Sequence, residues 1–142
     1  MKRSCFVYFF LTFLFLFGCS KDDNPVPNVS FTAYIDIMLP DYSGTVFTIN
    51  RDRYGNQIGI SGVIVYRLSD VEFYAFERYC PHDQKLTCKV SVGEDNSLAK
   101  CNCCSSEFLI LSPTGDVVNG PAQIGLKRYK TRLEGNYLVV YN

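Results

Sequence analysis

The sequence predicts an all-β domain, a small antiparallel sandwich or barrel, and three observations carry that expectation. From Phe31 onward, apolar residues recur with a period of two or in short β-branched and aromatic runs, the pattern of strands with one or both faces buried. Clusters of Gly, Asn, Asp and Pro separate the runs, where turns need them. No longer window holds a helical stripe, and no fixed-period repeat is visible.

In chain order, Phe31, Ala33, Ile35, Ile37 and Leu39 alternate with mostly polar neighbours, which predicts a half-buried first strand. Thr45 to Ile49, Val63 to Leu68 and Phe73 to Arg78 follow as apolar runs. Shorter candidates are Lys89 to Val92, Leu98 to Lys100 and Phe108 to Leu111, and two longer ones, Leu126 to Leu133 and Tyr137 to Tyr141, close the chain. Turns are expected at Tyr42-Ser43-Gly44, Gly93 to Asn96, Pro113 to Asp116 and Glu134-Gly135-Asn136.

The N-terminal residues have a different composition. Lys2 and Arg3 precede an apolar stretch from Cys5 to Phe17 and then Gly18, the layout of a secretory signal peptide over residues 1–18. The stretch runs about 13 residues, short of the roughly 20 that a spanning helix needs. Leu16-Phe17-Gly18-Cys19 resembles the lipobox of bacterial lipoproteins, which implies a lipid on Cys19 and membrane anchoring through it. Residues 19–29, with Ser20-Lys21-Asp22-Asp23, Pro25 and Pro27, are expected to be a lipidated tether, and 30–142 the β domain. The expected location is the cell envelope, at the outer membrane and facing outward.

Lys plus Arg number 14 and Asp plus Glu 14, so no charge excess points to nucleic acid. Gly55, Gly59 and Gly62 lack the feeding strand and following helix of a dinucleotide loop. With no Ser-His-Asp set and no paired carboxylates in a motif, autonomous catalysis is not expected.

The chemistry concentrates in the middle of the chain. Cys80-Pro81-His82 and Cys88 are followed by Cys101-Asn102-Cys103-Cys104 and Ser105-Ser106-Glu107-Phe108. Two such knuckles between strands have the spacing of a metal site. Thiolates with imidazole suit zinc or an iron–sulfur cluster and exclude hard cations. A thioredoxin-like reading of Cys101 and Cys104 fails on its flanks, which read as strands where that motif needs a helix N-terminus.

These boxes resemble those of Rieske-type iron–sulfur domains: a Cys-x-His box, a later Cys-x-x-His box, and a Gly-x-Val-x-x-Gly-Pro-Ala loop, here Gly115 to Ala122. The resemblance implies a 2Fe-2S cluster on Cys80, His82, Cys101 and Cys104, the last standing where the family has His. His82 is the chain's single histidine, so the His₂Cys₂ set cannot be completed. It also implies a Cys88 to Cys103 disulfide, although Cys88 lies beyond the family position, where Lys85 stands. Ser106 is implied as a hydroxyl donor beside the cluster, with Phe108 at a position that often carries Tyr and with Gly120 and Pro121 in the loop that closes over the centre. The function implied is an electron-transfer module working with a redox protein partner, its potential lowered by the extra thiolate. The alternative from another class is a cell-envelope binding or structural lipoprotein that holds zinc, or only disulfides, on the same framework.

Overall fold

The computed structural model describes residues 24–142; the expected signal peptide and Cys19 lie outside them. Ten strands run in order: β1 (Thr32–Asp36), β2 (Val46–Ile49), β3 (Val63–Arg67), β4 (Phe73–Glu77), β5 (Val90–Val92), β6 (Leu98–Cys101), β7 (Glu107–Leu109), β8 (Val117–Asn119), β9 (Arg128–Glu134) and β10 (Tyr137–Tyr141). They form a six-stranded sheet ordered β1-β10-β9-β4-β3-β2 and a four-stranded sheet ordered β5-β6-β7-β8. Every pairing is antiparallel. The all-β antiparallel expectation therefore holds.

The two sheets share a partition. One apolar cluster contains Ala33, Ile35, Phe47, Ile49, Val63, Val65, Ala75, Leu138 and Val140, all from the larger sheet, which curls around it as a half-barrel. The other takes Ile64, Tyr74 and Phe76 from the opposite face of β3 and β4 and packs them on Val90, Ala99, Cys101 and Phe108 of the smaller sheet and on Ile110 just beyond β7. Strands β3 and β4 thus separate two cores, and β4 is buried along its whole length. That explains their sequences, continuous apolar runs where the outer strands alternate.

The first strand ends earlier than its alternation suggested. The Asp36 carboxylate accepts the Met38 amide at 3.1 Å and its carbonyl accepts the Leu39 amide at 3.2 Å. This Asx-type turn breaks the strand and leaves Met38 and Leu39 exposed. A short 3-10 turn, Pro40–Tyr42, follows. Leu126 belongs to no strand; its side chain fills the second core.

Residues of the expected tether make contacts with loops flanking the β strands. Val26 is buried, the Asn24 side-chain amide donates to the Gly125 carbonyl at 3.3 Å, and the Lys127 ammonium donates to Pro27 O at 3.2 Å and Asn28 Oδ1 at 2.8 Å. Among the described residues, no helix is long and apolar enough to cross a membrane.

Candidate metal centre

The candidate centre lies where two loops meet, one crossing from the larger sheet to the smaller and one a hairpin of the smaller sheet. The first, Arg78 to Lys89, joins β4 to β5 and is closed at its base by Val90 N donating to Arg78 O at 2.7 Å and Cys80 N donating to Cys88 O at 3.2 Å. The second, Cys101 to Ser106, joins β6 to β7 and is closed by Cys101 N donating to Ser106 O at 2.9 Å. Both loops hang from strands whose apolar faces sit in the second core, so their bases are rigid while their tips meet.

A disulfide between Cys88 and Cys103 ties the tips together, with an S–S distance of 2.06 Å and Cα atoms 5.3 Å apart. The displacement of Cys88 from the family position is absorbed locally. Gln84 takes φ 51°, and Cys88 N donates back to Lys85 O at 3.0 Å, which folds the extra residues into a turn. Asn102 adds a second tie: its carbonyl oxygen accepts Lys89 N at 2.9 Å, its side-chain amide donates to Thr87 O at 3.2 Å, and its own backbone N–H donates to Lys89 O at 3.1 Å.

Cys80, Cys101 and Cys104 are free thiols, the first two buried and the third half-buried. Cys80 Sγ and Cys104 Sγ stand 3.7 Å apart. The fourth group among them is Asp83, whose Oδ2 accepts the Cys101 thiol at 3.1 Å; the ligand atoms of all four lie within 4.8 Å of one another. His82 is outside this group. Its side chain is exposed, in a shallow groove with Pro81, Pro121, Ile124 and Pro25. Asp83 and Asn102 were not singled out in the sequence. The signal available for Asp83 was its place three residues after Cys80, the same step that separates Cys101 from Cys104.

Burial pushes the Cys80 thiol far up, and burial likewise raises Cys101. Burial also raises Asp83, but thiol hydrogen bonds from Cys104, Cys101 and Cys80, together with nearby His82, outweigh it and hold the carboxyl below its usual range.

The remaining expected residues line the second loop. Ser106 is fully buried; its Oγ accepts the Cys104 thiol at 3.1 Å and the Ala122 amide at 3.0 Å. Gly120 sits at φ 96°, and a Cβ there would lie 2.5 Å from Ser106 Cα, so only glycine lets the Gly-Pro-Ala loop press on the serine. Phe108 is buried in the core and offers no hydroxyl.

Fold and site together define a β-sheet metalloprotein whose centre is built on cysteine. The description "Rieske 2Fe-2S domain" matches residues 41–130, and the chain belongs to that family. A cytochrome b6-f complex iron-sulfur subunit of Chlorobaculum thiosulfatiphilum is 26% identical over 102 residues, covering 72% of this chain and 48% of that protein. The chain thus spans about half the length of this relative. Among solved structures, the cyanobacterial plasma membrane Rieske protein of Synechocystis has a TM-score of 0.52 at 23% identity, covering 80% of this chain and 98% of its own. A chain from the complex of reduced oxygenase and oxidized ferredoxin in carbazole 1,9a-dioxygenase has a TM-score of 0.50 at 20% identity, covering 81% and 94%. These two likenesses are of fold.

The cofactor of the family is a 2Fe-2S cluster, and the donors here fit it by their chemistry. Three soft thiols converge from two loops held by a disulfide, and the first loop adds an oxygen donor at Asp83, next in sequence to the exposed His82. They do not fit the two-histidine form, because the chain has one histidine.

Proposed function

We propose that the protein is an electron-transfer module of the cell envelope, lipid-anchored through Cys19, with its 2Fe-2S cluster held by Cys80, Cys101, Cys104 and His82. The observation that carries this is the convergence of three thiols between two loops locked by the Cys88–Cys103 bridge, in a chain of this family. The cluster supplies a one-electron change at a site that makes and breaks no substrate bond. The chain's residues do the rest. The thiols and imidazole would hold the cluster, the bridge and Asn102 limit loop opening, and Ser106 places a hydroxyl beside Cys104. The exposed groove of His82, Pro121 and Ile124 gives a redox protein a surface within short reach of the centre. One electron passes from a reduced partner to an oxidised one, and no bond of the chain changes.

Envelope location rests on Lys2-Arg3, the apolar run and Gly18-Cys19. Mass spectrometry of the membrane fraction is expected to find acylated Cys19; a Cys19→Ser chain that stays equally membrane-bound would remove the anchor. A reductive titration of protein matured in its own envelope tests the redox reading. Loss of visible absorbance with about one electron per chain supports it, and a colourless, redox-silent protein leaves the binding-module alternative.

A further inference from the structure

The two loops of the centre are the same turn made twice. Cys80-Pro81-His82-Asp83 and Cys101-Asn102-Cys103-Cys104 each place a donor side chain at the first and fourth positions. In the first, Gln84 N donates to Cys80 O at 3.0 Å and Gln84 sits at φ 51°; in the second, Ser105 N donates to Cys101 O at 3.1 Å and Ser105 sits at φ 61°. A non-glycine residue at positive φ is uncommon, and here it occurs at the same step of both loops. The backbone N–H groups inside each turn point at its first sulfur, as Cys103 N does at Cys101 Sγ, 3.5 Å away. By this correspondence Asp83 is the counterpart of Cys104, and His82 is the counterpart of Cys103, whose sulfur is turned away into the disulfide.

One donor pair already has the spacing of a single-ion site. A tetrahedral site with Zn–S bonds of about 2.3 Å has S···S edges of about 3.8 Å, and with a Zn–O bond of about 2.1 Å its S···O edges are about 3.6 Å. Cys80 and Cys104 stand 3.7 Å apart, at that S···S edge; Cys101 and Asp83, hydrogen-bonded at 3.1 Å, open by about 0.5 Å once the thiol proton is lost to an ion, and all four donor atoms lie within 4.8 Å of one another. Three thiolates and one carboxylate carry a formal charge of four minus, which a thiophilic divalent cation partly neutralises; hard cations prefer all-oxygen sites.

We propose that Cys80, Asp83, Cys101 and Cys104 form a mononuclear site for a thiophilic divalent cation of the zinc class, occupied when no cluster is assembled, with His82 outside the coordination sphere. The site shares three thiols with the cluster reading and differs in the fourth donor. On binding, each coordinating thiol releases its proton to solvent, and no electron moves.

Cobalt(II) is the probe. The full chain, purified from iron-restricted cells with its Cys88–Cys103 bridge intact, is expected to bind about one cobalt, with thiolate-to-cobalt charge-transfer bands and the intense visible bands of tetrahedral cobalt, and to lose both on adding zinc. Asp83→Ala is expected to weaken binding at least 100-fold, more than the roughly 10- to 100-fold that loss of an outer partner costs. Asp83→Cys, which makes the two turns alike, retains tight binding and guards against a merely misfolded alanine variant. His82→Ala leaves cobalt affinity unchanged while abolishing the redox-active absorbance of cluster-loaded protein, so the two readings fail separately. The proposal is overturned if the parent chain binds no cobalt, if Asp83→Ala binds as tightly as the parent, or if His82→Ala loses the cobalt bands.

Discussion

Glu77 is fully buried, and among the described residues no side-chain cation forms a salt bridge with its carboxylate. Its oxygens instead accept the amides of Ile60 at 2.7 Å, Ser61 at 2.8 Å and Tyr79 at 2.8 Å, and the Tyr129 hydroxyl at 2.6 Å. One side chain therefore pins the 58–62 loop, the entry to the first metal loop and β9. Gly59, at φ 62°, is required beside it, because a Cβ there would collide with the carboxylate. Glu77→Ala orphans three amides and a hydroxyl in the interior; at about 1–3 kcal/mol for each unsatisfied group, partly relieved by entering water, the expected loss is about 3–5 kcal/mol, read from urea unfolding at constant slope. Burial, and then the bond to Glu77, hold the Tyr129 proton well above the usual tyrosine range around 10.0. The unfolded chain ionises this tyrosine as pH rises past that value while the folded chain does not. This part of the stability is therefore present below pH 10.0 and declines above it. Tyr129→Phe should lower stability at neutral pH and flatten the alkaline decline. Ser106→Ala removes the hydroxyl beside Cys104 and leaves the Ala122 amide unpaired, costing about 1–3 kcal/mol. In cluster-loaded protein it should also shift the reduction potential more negative, which voltammetry measures.

At the scale of elements, the Cys88–Cys103 bridge is the main constraint on the metal loops. It closes a sequence separation of 15, for which the entropic contribution is about 3 kcal/mol. The double variant Cys88→Ser with Cys103→Ser is expected to unfold at lower denaturant by that order and to exchange the Thr87 to Lys89 amides faster. Nine of the strands were legible because each shows alternation or a continuous β-branched run, as in Val63–Arg67 and Phe73–Glu77. β8 was not, since Val117–Asn119 is a short strand with Val118 exposed, too brief to show a period. The close packing of residues 24–29 was hidden by their composition. Pro25 and Pro27 read as a spacer, whereas the contacts that hold the segment come from Gly125, Lys127 and Asn142, 99 to 114 residues away in the chain.

For the molecule as a whole, the thiol framework was legible because cysteine spacing reports which donors share a loop. Asp83 was not, because an aspartate beside a histidine carries no such signal until the turn around Gln84 is seen to repeat the one around Ser105. Asn102 was missed for a related reason: its role is hydrogen bonding across loops that are distant in sequence. The second core, built on Phe76, Phe108 and Ile110, is expected to hold two tied loops rigidly around a redox centre. Iron and acid-labile sulfide analysis of protein matured in its native envelope tests that claim most directly. About two irons and two sulfides per chain are expected, with a paramagnetic signal on reduction; stoichiometric zinc with no sulfide, or no metal at all, would contradict it.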